Sequence, residues 1–186
     1  QEPLAVVGHV NEPMQSADIS ISAPQLGFSG RMFADTKLHI YSVYDTLYIN
    51  GGTSRVGSDG AKFSVSLQGK ASDNRLQTAI DFDNGRERRM SGSLNTNSWF
   101  FRGSDGKPVV NVCVLPSEIM MGDSLWYLRS SDIVYTAYNL SVDNFVLEHG
   151  QQSIKIDGAA TRSMEDSLVV DMQDVDVAYI MNLVDF

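Results

Sequence analysis

The feature that most constrains this chain is a period of two. Over residues 62–68 the apolar side chains are Phe63, Val65 and Leu67, separated by serines. Over 75–82 the repeat runs Leu76, Thr78, Ile80 and Phe82. The same spacing returns at Ile19 and Ile21, at Ile154 and Ile156, and at Leu168, Val170 and Met172. A strand sends successive side chains to opposite sides, so each window predicts a strand with one apolar and one wet face. Such alternation belongs to antiparallel or open sheets. Parallel sheets, covered on both sides, read as unbroken apolar runs.

Turn signals fall between the windows. Asn50-Gly51-Gly52, Ser58-Asp59-Gly60, Asp83-Asn84-Gly85 and Ser104-Asp105-Gly106 offer the positive φ that tight turns need. Further breaks are expected at Glu148-His149-Gly150 and Asp157-Gly158. Strands recurring every ~10–14 residues predict an all-β fold, either a large, mostly antiparallel curled sheet or a sandwich. Helix is expected only over 178–184, as one or two turns with Tyr179, Ile180 and Leu183 on the apolar side. Pro3 and Pro13 make 3–14 an irregular lead-in or an edge strand. No linker or shift of composition divides the chain, so 1–186 reads as one segment. It opens at Gln1 without a Met or a leader-like stretch, which predicts a piece of a larger protein.

Composition narrows the function classes. With 14 basic and 23 acidic residues the net charge is −9, the wrong sign for a general nucleic-acid binder or for charge-driven docking on anionic lipid. A single cysteine, Cys113, excludes an internal disulfide framework and a cysteine-based zinc cluster. No apolar run approaches the ~18 residues of a spanning helix.

Catalytic patterns are sparse. His9, His39 and His149 form no zinc-protease motif, and there is no nucleophile elbow or Gly-rich phosphate loop. His39 reads as an outward strand residue, His149 as part of a turn, and Cys113, within Val110–Leu115, as a small buried apolar group. The carboxylates Glu165, Asp166, Asp171, Asp174 and Asp176 lack the order of a calcium loop and read as a solvated edge. Arg86-Glu87-Arg88-Arg89 reads as an exposed strand whose charges discourage edge-to-edge association. Trp99-Phe100-Phe101 and Trp126-Tyr127 fit either a β core or a sugar-stacking platform. These readings predict a protein without catalysis, metal or cofactor.

The second half carries an ordered set of motifs: Gly122-Asp123-Ser124-Leu125-Trp126-Tyr127, then Val142-Asp143-Asn144-Phe145-Val146-Leu147-Glu148-His149-Gly150, then Ser153-Ile154-Lys155-Ile156-Asp157-Gly158, and Glu165-Asp166-Ser167-Leu168. Over 114–186 this succession resembles the TamB-like translocation and assembly proteins of Bacteroidetes, in the AsmA superfamily. The resemblance implies a periplasmic segment of an inner-membrane-anchored protein, with a curled β-sheet whose inner surface is apolar. It implies an outer-membrane barrel protein and phospholipid as partners, with outer-membrane assembly or inter-membrane lipid transfer as the role. It supplies no catalytic residues. The apolar set expected along such a groove is Phe63, Val65, Leu67, Leu76, Ile80, Phe82, Ile154, Ile156, Leu168 and Val170. The same set describes equally the inside of a closed core. The rival function class is a secreted or surface β-sandwich that binds carbohydrate or a protein partner through exposed Trp99 or Trp126.

Overall fold

Period-two patterning becomes strand throughout. The computed structural model describes residues 4–11, 16–28, 31–57, 60–87, 89–161 and 166–176; the helix expected over 178–184 lies outside them. The first seven strands are β1 (Ala5–Asn11), β2 (Ser16–Phe28), β3 (Arg31–Val43), β4 (Thr46–Val56), β5 (Lys62–Ser72), β6 (Arg75–Asp83) and β7 (Met90–Arg102). Then follow β8 (Pro108–Val114), β9 (Ser117–Met121), β10 (Ser124–Leu128), β11 (Ser131–Thr136), β12 (Asn139–His149), β13 (Gln152–Thr161) and β14 (Leu168–Gln173). All fourteen belong to one antiparallel sheet, so of the two expected architectures the single large sheet is observed.

The registers simplify this sheet further. Val112 and Val114 of β8 lie opposite Ser98 and Thr96 of β7; beyond Leu115-Pro116, Ile119 and Met121 of β9 lie opposite Gly92 and Met90 of the same strand. β8 and β9 are thus two halves of one strand. They are broken at Pro116, which has no N–H for the ladder. β10 and β11 lie end to end in the same way between β8–β9 and β12. Backbone hydrogen bonds continue the ladder across both breaks, from Leu115 N–H to Asn95 O (2.8 Å) and from Arg129 N–H to Val146 O (2.9 Å). The fourteen strands therefore occupy twelve positions of a meander in which chain neighbours are also sheet neighbours. At the usual strand spacing it is roughly 50 Å across.

Local chemistry explains the bends and turns. Asp73 and Asn74, with φ of 49° and 58°, form a two-residue hairpin turn between β5 and β6. Asp35 (φ 55°) and Asn144 (φ 53°) sit where the register slips in β3 and β12, and such bulges bend a sheet and sharpen its twist. Two expected breaks are instead inside strands. Gly51 and Gly52 lie within β4, where a Cβ on Gly51 would come 3.2 Å from Leu38 Cδ1 and one on Gly52 would come 3.2 Å from Val65 O. These glycines make room for neighbouring strands and do not turn the chain. Asp157-Gly158 lies within β13, opposite the Asn144 bulge.

The basic run is corrected too. Of that run, Arg86, Glu87 and Arg89 lie in the β6–β7 connection and not in an exposed strand, and Arg88 lies outside the described residues. Asn84 Oδ1 accepts N–H bonds from Met90 (2.9 Å) and Arg86 (3.3 Å), while Asp83 accepts from Gly85 N–H and from the Arg89 guanidinium, both at 2.8 Å. The Gly85 amide, then Arg89, hold the Asp83 carboxyl below its ordinary 3.8. A lowered folded value means that the stabilisation is complete above about pH 4 and is lost as pH falls through that lowered value. Asp83→Asn should accordingly flatten the fall in thermal midpoint on acidification below pH 4, as read by circular dichroism melts across that range.

No second layer covers the sheet among the described residues, where the substantial contacts between strands are all between sheet neighbours. The accessible surface is 12343 Å², whereas a compact monomer of this mass would expose about 8,900 Å². Among the described residues the buried apolar ones are few: Ala23, Val114, Ile119, Met121, Trp126 and Leu128.

Candidate functional site

Directly paired residues of an antiparallel sheet share a face, so the registers trace each face strand by strand. One row runs Val6, Ile21, Leu38, Gly51, Leu67, Ile80, Leu94 from β1 to β7. A second runs Thr53, Val65, Phe82, Gly92, Ile119, Trp126. Two residues beyond Trp126 on the same strand, Leu128 starts a third: Leu147, Ile154, Met172. Phe145, Ile156 and Val170 lie beside it, as do Gly158 and Leu168. These rows make one apolar face across all twelve positions.

The ten candidate residues all fall on that face. Phe63 enters opposite Arg55, and Leu76 opposite Ala71. Phe63, Val65, Leu67, Leu76, Ile80, Phe82, Ile154, Ile156 and Leu168 are half-buried, and Val170 is 54% exposed. None is sealed from solvent. The face has a tight nucleus at its middle, where Ile119, Met121 and Trp126 pack with Phe82, Met90, Leu147, Ile154 and Val175. The His149 ring lies 5.8 Å from the Trp126 ring, and His149 Nδ1–H donates to Leu125 O at 2.8 Å. His149 is thus the last residue of β12, with the turn beginning at Gly150.

The nucleus was legible but not nominated. Ile119-x-Met121 and Trp126-x-Leu128 flank Gly122-Asp123 with the same alternation as the other windows. Their brevity, five residues a strand, hid them.

The opposite face is polar. One of its rows runs Asp18, Tyr41, Tyr48, Lys70, Gln77, Asn97, Cys113, Asp132, Asp143. His39 lies on this face, 2.9 Å from Asp18 and stacked on Tyr41, which stacks in turn on Tyr48. The buried-core expectation for Cys113 is overturned. Val110, Val112 and Val114 take the apolar side, which leaves Cys113 half-buried on the polar one, its Sγ 3.8 Å from Ser130 Oγ.

The two tryptophans separate as well. Trp126 is 2% exposed in the apolar nucleus; Trp99 is half-buried on the polar face, opposite Arg75. Among the described residues no group of three or more His, Cys, Asp or Glu is placed to hold a metal ion. Comparison with protein families, with curated proteins and with solved structures finds no match.

Proposed function

We propose that this chain is a lipid-guiding segment of the bacterial envelope: a sheet whose apolar face carries phospholipid acyl chains between membranes or serves outer-membrane assembly. The observation that carries the reading is the continuous apolar face, half-buried on either side of the Trp126 nucleus and covered by no second layer of described residues. A contiguous apolar face that no second layer covers marks an interaction surface. A strip of half-buried Leu, Ile, Val and Phe with no convergent polar groups suits acyl chains, which ask for apolar contact and no directional bond. The resemblance of 114–186 to TamB-like proteins supports the same role, and with it a periplasmic setting and an outer-membrane barrel partner. The separation of Trp99 and Trp126 onto opposite faces weighs against a paired aromatic platform for sugar.

Neighbouring positions on β13 test the proposal. Ile156 is on the apolar face and Lys155 on the polar one, paired with Asp171. A benzophenone side chain at Ile156 should crosslink phosphatidylethanolamine in vesicles, and one at Lys155 should not. Ile156→Asp should abolish the transfer of fluorescent phospholipid between vesicles, since a carboxylate against acyl chains is costly to desolvate. Equal crosslinking at the two positions, or at neither, would refute the lipid assignment of this face.

A further inference from the structure

On the polar face, behind the apolar strip, β5, β6 and β7 form a hollow of about 230 Å³. Two parallel rows of side chains build it. Lys70, Gln77 and Asn97 pair across one row; Ser72, Arg75 and Trp99 pair across the next. The β5–β6 hairpin end that closes it is tied to β7 by the hydrogen bond from Phe100 N–H to Asn74 O (2.9 Å). The hollow is lined by two cations and no carboxylate, in a chain of net charge −9. The nearest acidic residue in sequence, Asp73, is in the hairpin turn and does not line it.

These six side chains have no hydrogen-bond or ion-pair partner among the described residues. On the same face Lys62 and Lys155 reach Asp35 and Asp157, respectively, whereas Lys37 on β3 carries no ion pair among the described residues. The hollow therefore concentrates two free positive charges, two carboxamides that both donate and accept, a hydroxyl and an indole N–H.

We infer that this hollow binds one sugar ring carrying an anionic group, a carboxylate or a phosphate. The chemistry divides among the residues. Arg75 and Lys70 take the anion through charge-assisted hydrogen bonds. Gln77 and Asn97 meet adjacent ring hydroxyls, which each give and receive a hydrogen bond. Trp99 supplies the flat apolar surface on which a sugar's C–H face rests, with its N–H at the edge. The volume is below that of pockets for drug-sized ligands, and it takes one ring and not an extended chain. The stacked His39, Tyr41 and Tyr48 do not compete for this role, because their ring faces are spent on one another. The site lies on the face opposite the proposed lipid surface and stands or falls independently of it.

Indole N–H signals in a ¹⁵N–¹H spectrum of the full chain provide the test. There are two tryptophans, and Trp99→Phe identifies which signal is which. Galacturonate, glucose 1-phosphate, glucose and inorganic phosphate are titrated separately. The expected result is a shift of the Trp99 signal with galacturonate or glucose 1-phosphate, and the pair tells whether carboxylate or phosphate is preferred. Arg75→Ala and Lys70→Ala should each weaken the binding by about tenfold, and Lys155→Ala should leave it unchanged. The Trp126 signal, unmoved throughout, reports an intact fold in each variant. The inference is overturned if inorganic phosphate binds as tightly as glucose 1-phosphate, or if glucose binds as tightly as galacturonate. It is also overturned if neither acid moves Trp99 at about 10 mM, well above the dissociation constant of even a millimolar site.

Discussion

Trp126→Ala is expected to cost about 3–5 kcal/mol of unfolding free energy, the loss typical of deleting a buried aromatic ring. Trp126 is the largest side chain of the one tight nucleus in the described sheet, and it joins strands from both halves. β10 carries it, β9 adds Ile119 and Met121 to the same cluster, and Phe82 and Ile154 pack against that cluster from β6 and β13. Phe82→Ala should cost much less, about 1 kcal/mol, because the ring is half-buried and gives up only part of its transfer free energy. Urea denaturation of the two variants measures the contrast. Equal losses of about 4 kcal/mol would mean that the apolar face is closed over in solution, and acyl chains would have no place on it.

Gly158→Ala should be nearly as damaging, for a different reason. Gly158 has φ of 114°, a conformation almost restricted to glycine, and a Cβ there would run into the carbonyl oxygen of Ser167, the residue before β14. The residue that faces it, Val142, adjoins the Asn144 bulge, so the neighbouring strand is already committed to its bend. The strain and the displacement of β14 together should cost about 3 kcal/mol. Hydrogen exchange would locate the damage. Amides that pair β13 with β14 should lose about a hundredfold in protection, while those of β3 to β6 keep theirs. Loss of protection across the whole sheet would show instead that the strands unfold as one unit.

Much of the architecture could be read from residue order, and the exceptions have physical causes. The windows around Phe63, Leu76, Ile154 and Leu168 are strands because their alternation is long enough to outweigh any local preference. Gly51 and Gly52 mislead, since glycine serves equally a turn and a strand crossed closely by its neighbours, and only Leu38 and Val65 across the ladder reveal which. Cys113 misleads because a thiol on the polar face keeps Val112-Cys113-Val114-Leu115 apolar throughout and conceals the alternation that Asn111 begins.

The candidate face was legible window by window, but not as one surface. Joining the windows needs the parity of each connection and the positions of the slips at Ala34/Lys37 and Val142/Phe145. Those are set by pairing partners that sequence spacing does not name. The hollow beside Trp99 was hidden for the same reason. Lys70, Arg75 and Asn97 are unremarkable singly, and only the β5–β6–β7 register gathers them.

The strict meander has a mechanical consequence. Outside the nucleus, where Phe82, Ile154 and Val175 pack beyond their nearest neighbours, the described strands make their substantial contacts with the two beside them, so cooperativity there is quasi-one-dimensional, as in solenoid repeats. A lesion is felt one or two strands away and then fades. Opening starts from β1 and β14, which among the described strands are outermost and bonded on a single side, and moves inward until the Trp126 nucleus arrests it. The arrangement is also modular: a further hairpin added at either margin would lengthen the apolar track by about 10 Å without altering a contact at its centre.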